Sequence, residues 1–120
     1  MDQRAQRILR LLGLGLVLAH QLAIKRFQFV GVLQLELSIG DAMSLKDKRR
    51  VVKSLKDRIA HAHNVSIAEV GALDEHRRSI LGIAMVSNDS RYVEGALSKL
   101  VDFVRMVPQV SLIDYQIELL

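Results

Sequence analysis

Residues 29–70 read FVGVLQLELSIGDAMSLKDKRRVVKSLKDRIAHAHNVSIAEV, and the spacing of their hydrophobic side chains changes twice along the stretch. From Phe29 to Ile39 every second residue is hydrophobic or Gly on one face, which is typical of a strand with one buried side. The middle of the stretch repeats hydrophobic residues at helical spacing, and NVSIAEV at 64–70 alternates again. The pattern therefore predicts a strand, an amphipathic helix and a second strand.

The helix is expected to begin after Ser44, because Ser44 and Asp47 form a capping-box pattern. It is expected to end within residues 61–64. The residues that share its apolar stripe are Leu45, Val52, Leu55, Ile59 and Ala62.

The second half of the chain repeats this order. SILGIAMVS predicts a strand, Asn88, Asp89 and Ser90 supply caps, and Pro108 stops the helix that follows. Its predicted stripe consists of Val93, Leu97, Leu100, Val101 and Val104. VSLIDYQIELL predicts a last strand with four residues on its inner face, namely Ile113, Tyr115, Ile117 and Leu119.

Two β-α-β units in series predict an α+β protein with the ferredoxin-like β-α-β-β-α-β sandwich. In this fold a four-stranded antiparallel sheet carries both helices on one face. At 120 residues the chain has room for one domain, which we place at residues 29–120. The absence of Cys excludes disulfides and thiolate ligands.

Residues 1–28 form an N-terminal extension that is both apolar and basic. Its apolar run from Leu11 to Ala19 is too short for a membrane-spanning helix, which needs roughly 20 residues. The segment fits a signal or anchor, an amphipathic helix, or an upstream extension without function, and we prefer the last interpretation. We expect no membrane association of the core domain.

Charge is segregated along the chain. Residues 1–28 carry a net charge of +4, and the other 92 residues are neutral, with 12 cations against 12 carboxylates. Within that neutral part, residues 44–58 carry seven cations and two carboxylates, a local charge of +5. The remainder from residue 29 onward therefore sums to −5, and the first helix is the basic element.

The first helix presents several cations on the side opposite its apolar stripe, if residues follow at about 100° each. Such a surface suits phosphate groups, to which Arg makes forked contacts. The alternative is an ordinary solvated helix face. The candidate RNA- or anion-binding residues are Lys46, Lys48, Arg49, Arg50, Lys53 and Lys56, helped by Arg77 and Arg78.

Lys48 differs from the other cations, because it falls within the apolar stripe between Leu45 and Val52. Three interpretations stay open: its ammonium extends past the core edge to solvent, it pairs with a carboxylate such as Asp89 or Asp114, or it reaches a ligand near the helix start.

The open face of the predicted sheet is acidic and lacks aromatic rings. Binding of RNA bases on a sheet needs such rings, so this mode is not expected. The face is instead a candidate homodimer surface. Its predicted polar members are Gln34, Glu36, Asp114, Gln116 and Glu118, accompanied by Val30, Val32 and Leu112.

No catalytic residues, metal site or cofactor are predicted. His61 and His63 lie at a helix end without an evident third ligand, and Asp74, Glu75 and His76 fit a solvated loop. We therefore expect a protein that is not an enzyme.

The stretches FVGVLQLELSI, SLKDKRRVVKSLKDRI, NVSIAEV, LGIAMVSND and LIDYQIELL resemble the YlxP-like family of small bacterial proteins of unknown function. The resemblance covers about residues 29–120. It implies a ferredoxin-like fold, a cytoplasmic location and genes beside translation and ribosome-maturation factors, including ribosome-binding factor A. The chain departs from the family in residues 1–28 and in the loop LDEHRRS, where members often carry a Trp.

These observations lead to two functional hypotheses. The first is a non-enzymatic accessory protein that binds structured RNA, in a ribosomal subunit or its assembly, through phosphate contacts from the basic helix. The second is a homo-oligomeric interaction module whose basic helix docks on an acidic protein surface.

Overall fold

The computed structural model describes residues 27–120 together with residues 3, 4 and 7. The elements of this part are β1 Phe29–Ser38, α1 Leu45–Ala62, β2 Ser66–Gly71, β3 Arg78–Ser87, α2 Ser90–Arg105 and β4 Ser111–Leu119. The predicted order β-α-β-β-α-β is confirmed. The expectation of an N-terminal extension at residues 1–28 concerns positions that lie mostly outside the described residues.

The four strands form one antiparallel sheet in the order β2-β3-β1-β4. The two central strands pair along their whole length, from Phe29 opposite Ser87 to Ser38 opposite Arg78. Both helices pack their buried stripes against the same face of the sheet, which leaves the other face open. The predicted ferredoxin-like α+β sandwich is therefore confirmed. In the part of the chain that the structure covers, no helix is both long and apolar enough to span a bilayer.

The core lies between the sheet and the helices. Alternate residues of β1 and β3 point into it, since a strand turns successive side chains to opposite faces. The buried strand residues are Leu33, Leu35, Leu37, Leu81, Ile83 and Met85. All five predicted stripe residues of α2 are buried, as are Val52, Leu55 and Ile59 of α1. Burying each such side chain contributes about 1.5–3 kcal/mol.

Side-chain caps fix where the helices begin. Ser44 Oγ accepts a hydrogen bond from the Asp47 amide at 3.1 Å, as predicted, while the Asp47 carboxylate accepts one from the Met43 amide at 2.9 Å. At the second helix, Asp89 accepts from the amides of Arg91 and Tyr92 at 3.0 and 3.2 Å. These contacts satisfy amides that have no partner within the helix. The predicted starts of both helices are confirmed.

A β-bulge in β4 corrects the predicted inner face of this strand. Leu37 lies opposite Leu112, but Glu36 lies opposite Asp114, so Ile113 is an extra residue and is exposed. The assignment of Ile113 to the inner face was wrong, and so was that of Leu112 to the open face. A bulge shifts the alternation by one residue. The predicted inner-face residues beyond it keep that face, namely Tyr115, Ile117 and Leu119.

Candidate nucleic-acid interface

Five cations of α1 form what we call the α1 basic surface: Lys46, Arg49, Arg50, Lys53 and Lys56. The first four are exposed and Lys56 is half-buried. Arg50 lies almost opposite the buried residues Val52 and Ile59, since successive residues of a helix are about 100° apart. From Lys46 to Lys53 the surface extends roughly 10 Å along the helix at about 1.5 Å per residue. The helical periodicity thus predicted the exposure of this surface correctly.

One member of the surface carries its own counter-charge. The Lys53 ammonium lies 2.8 Å from the Asp57 carboxylate, one turn along the helix. This hydrogen bond, and then the charge attraction, raises the pKa of Lys53 above its usual value. Both groups are exposed, so water and salt screen their interaction. Lys53 is therefore a weaker anchor for an incoming phosphate than its neighbours.

Three exposed cations of the surface, Lys46, Arg49 and Arg50, have no carboxylate of the described residues within ion-pair distance. They also lie near the helix N-terminus, whose partial positive charge disfavours them. Asp47 in the first turn offsets part of this repulsion, but its carboxylate is directed to the Met43 amide. An anion bound beside these three residues would satisfy them and the helix dipole together.

Arg77 joins this end of the helix from the loop between β2 and β3. Its Nε donates to the Ala42 carbonyl at 3.3 Å, and its guanidinium lies 3.8 Å from the sulfur of Met43. Arg77 is exposed and has no ion-pair partner among the residues covered by the structure. Ala42 and Met43 directly precede the helix cap Ser44. Arg77 therefore adds a cation beside the N-terminal end of α1, next to the α1 basic surface.

Arg78 does not belong to this surface, although it follows Arg77 directly. It is the first residue of β3 and lies opposite Ser38, on the open face of the sheet. Its guanidinium bonds Glu36 at 3.1 Å and Glu75 at 3.3 Å, and these bonds raise the pKa of Arg78 further. Two carboxylates neutralise its charge, so its predicted contribution to anion binding is not supported by this geometry.

Lys48 lies inside the protein, away from the α1 basic surface. Its side chain is 1% exposed, and its ammonium lies 3.1 Å from the carboxylate of Glu69 in β2. The same carboxylate accepts a hydrogen bond of 2.6 Å from the hydroxyl of buried Ser79. Of the three interpretations of Lys48, the structure shows the pairing with a carboxylate, although the partner is Glu69 and neither Asp89 nor Asp114. Its ammonium does not extend to solvent.

Glu69 and Ser79 were not among the sequence candidates. The signal for Glu69 lay in the alternation around β2, because Val65 just before the strand and Ile67 and Glu69 within it fall on the same face, toward the core. Lys48 lies on the buried face of α1, together with Val52 and Leu55. Two opposite charges on two inward faces indicate a buried ion pair, because a buried charge needs a partner.

The open face of the sheet lies on the side opposite to the helices and is acidic. Glu36, Asp114 and Glu118 project there, with Arg78 as the counter-charge that Glu36 shares. The central strands contribute only aliphatic, Gly and polar residues to this face, among them Val30, Val32, Gly82 and Ala84. The described part of the molecule therefore has a basic helical side and an acidic sheet side.

No cluster of three or more His, Asp or Glu side chains suited to a metal ion occurs among the residues that the structure describes. A shallow depression between the two helices is lined by Asp57, Arg58, His61 and Phe103. The guanidinium of Arg58 lies 5.0 Å from the centre of the Phe103 ring, a cation–π distance. Arg58 thus covers the helix–helix junction and faces away from the α1 basic surface.

Fold and charge distribution together define a small ferredoxin-like sandwich with a basic first helix and an open acidic sheet. The chain belongs to a family described as protein of unknown function (DUF503), whose model matches residues 30–117. It is 37% identical over 82 residues to the uncharacterized protein YlxP of Bacillus subtilis (strain 168). The aligned residues make up 68% of this chain and 89% of that protein. The predicted YlxP-like resemblance is confirmed.

A solved structure with a similar chain path is the de novo designed protein Foldit4. The similarity covers 78% of this chain and 96% of that chain, with 8% sequence identity and a TM-score of 0.47.

Proposed function

We propose that this protein is a non-enzymatic accessory factor that binds structured RNA in the bacterial cytoplasm, in a ribosomal subunit or during its assembly. The observation that carries the proposal is the group of exposed cations at the start of α1, Lys46, Arg49 and Arg50, without carboxylate partners among the described residues. Residues 29–120 as a whole carry no net charge, with 12 cations against 12 carboxylates. A local, unneutralised cation group on a neutral body favours a polyanionic partner.

The contacts would go to phosphates and would position the protein without reading bases. Arg49 and Arg50 suit forked contacts to phosphate oxygens, whereas Lys46 acts as a point charge. Arg77 adds a fourth cation at the helix start. The sheet is unsuited to base stacking, since the open face of β1 and β3 carries no aromatic ring. Binding is therefore expected to depend on charge and RNA shape.

Salt dependence gives the proposal a quantitative test. Four neutralised phosphates on a duplex correspond to a slope of about −3.6 in log K against log salt. Between 50 and 200 mM salt, binding should then weaken about 150-fold. Fluorescence anisotropy with a labelled RNA duplex measures this slope.

The decisive variant is R49E with R50E, compared with R91E and K99E on α2. Both double variants change the net charge equally and alter exposed residues. We expect the α1 variant to abolish RNA binding and the α2 variant to retain most of it. Equal losses in both variants would show that only net charge matters, and unchanged binding of the α1 variant would refute the proposal.

The second candidate function is a homo-oligomeric interaction module. It is favoured by one observation: the basic α1 and the acidic open sheet face lie on opposite sides of the domain. A basic helix that docks on the acidic sheet of another copy would form a head-to-tail contact, which leads to rings or filaments. Light scattering would then show a mass that rises with protein concentration and falls back to the monomer in the α1 double variant.

A further inference from the structure

The ammonium of Lys48 is enclosed by four oxygen atoms of the protein. It donates to the carbonyl oxygens of Ala72 at 2.8 Å and of Leu73 and Arg78 at 3.3 Å. The fourth oxygen belongs to the Glu69 carboxylate at 3.1 Å. An ammonium has three protons, so these four acceptors leave no donor for a ligand. The role of Lys48 is therefore to hold parts of the protein together.

The three carbonyls bracket the loop between β2 and β3, residues 72–77. Ala72 and Leu73 begin this loop, and Arg78 follows its last residue. Ala72 has a φ of 57°, in the left-handed region that a residue with a Cβ rarely adopts. Its carbonyl also accepts the Glu75 amide at 3.1 Å. A single buried cation thus ties both ends of the loop to the first turn of α1.

Arg77 is the loop residue that meets the start of α1. Its carbonyl accepts the Ile39 amide at 2.9 Å, and its Nε donates to the Ala42 carbonyl at 3.3 Å. Ile39 and Ala42 both belong to the connection between β1 and α1. The path of the loop therefore determines whether the Arg77 guanidinium lies beside the first helical turn.

We infer that Lys48 is a positioning residue, which holds the 72–77 loop so that Arg77 completes a phosphate-binding surface formed by two elements. The surface joins Arg77 of the loop to Lys46, Arg49 and Arg50 of the helix. This inference rests on the proposed RNA-binding function. Lys48 itself does not touch the RNA and acts only by positioning Arg77.

The first test requires no RNA. In K48M the loop carbonyls lose their donor, while a linear side chain of similar length keeps the core filled. Hydrogen exchange of the Glu75 and Ile39 amides, which bond the loop or its end, should become at least tenfold faster. The His63 amide at the far end of α1 serves as an internal reference. V52A is the matched control, because it weakens the same buried helix stripe without removing a hydrogen bond to the loop carbonyls.

The second test measures the salt slope of RNA binding. In the wild-type protein R77A should reduce the slope by about one phosphate contact, or 0.9. In the K48M background R77A should have no further effect, whereas R50A should still reduce the slope fully. A purely structural role of Lys48 predicts the same R77A effect in both backgrounds, and that result would overturn the inference.

Removal of the Lys48 charge leaves Glu69 without its cation, so K48M is accompanied by K48M with E69Q. The amide still accepts the Ser79 hydroxyl but carries no charge. This double variant should show the same fast exchange of Glu75 and the same loss of the R77A effect. Normal exchange of Glu75 in both variants refutes the positioning role, while unchanged RNA binding of R49E with R50E refutes the proposed function itself.

Discussion

Neutralisation of Asp57 should strengthen RNA binding. In the folded protein its carboxylate lies 2.8 Å from the Lys53 ammonium and occupies the one cation of the α1 basic surface that has an ion-pair partner among the described residues. D57N removes this partner and keeps a side chain of similar shape. The helix caps are unaffected, because Asp57 lies three turns beyond the Ser44 cap.

The size of the effect follows from counterion release. Four phosphate contacts give a slope of about −3.6 in log K against log salt. Release of Lys53 from Asp57 adds a fifth contact, which makes the slope about −4.5. At 0.1 M salt the additional contact corresponds to about eightfold tighter binding, if both proteins bind equally at 1 M. Protonation does not alter this comparison near neutral pH. The pKa of Lys53 is raised by Asp57 in the folded protein. The stabilisation from the pair is therefore fully present below the pKa of Lys53 in the unfolded chain, and it is lost only as pH rises through the higher pKa of the folded protein.

Anisotropy titrations with one labelled RNA duplex at several salt concentrations would measure both quantities. D102N on α2 is the matched control, since Asp102 faces Arg105 at 3.9 Å in an exposed pair remote from the α1 basic surface. It should leave the slope unchanged. A D57N slope equal to that of the wild-type protein, or an equal gain in D102N, would refute the reasoning.

Further predictions concern stability and are checked by urea denaturation. A72G should stabilise the protein by about 1 kcal/mol, because Gly adopts the φ of 57° without strain, and a destabilised variant would contradict the role given to this turn. G31A should destabilise it by about 1–3 kcal/mol, because a Cβ there would lie 2.3 Å from Val93 Cγ1, where α2 crosses β1. G40A is the control for G31A, since a Cβ at Gly40 meets nothing within 4 Å, and equal effects of the two would argue against close packing at Gly31.

Much of the fold could be predicted because the two hydrophobic periods are local signals. The alternation of β1, the caps at Ser44 and Asp89 and the stripe of α2 each lie within a few residues. The inner face of β4 could not be predicted in full. Its bulge at Ile113 depends on pairing with β1, about 75 residues earlier in the chain. The alternation of hydrophobic residues within β4 does not indicate the bulge.

The candidate site could likewise be predicted only where the signal was local in the sequence. Helical spacing correctly predicted that Arg49 and Arg50 share an exposed face. The neighbours Arg77 and Arg78 could not be separated from the sequence, because their opposite directions depend on where β3 begins and on the turn at Ala72. The exclusion of Lys48 from the surface depends on its contact with Glu69, which requires the packing of α1 against β2.

Sedimentation with ribosomal subunits tests whether the α1 basic surface binds a polyanion in the natural setting. Tagged wild-type protein and the R49E with R50E variant would be centrifuged through gradients with purified subunits at 50 and 200 mM salt. We expect the wild-type protein to move with a subunit at low salt and to dissociate at high salt, and the variant to stay at the top in both. Co-sedimentation of the variant with the subunit at low salt would contradict RNA binding through this helix.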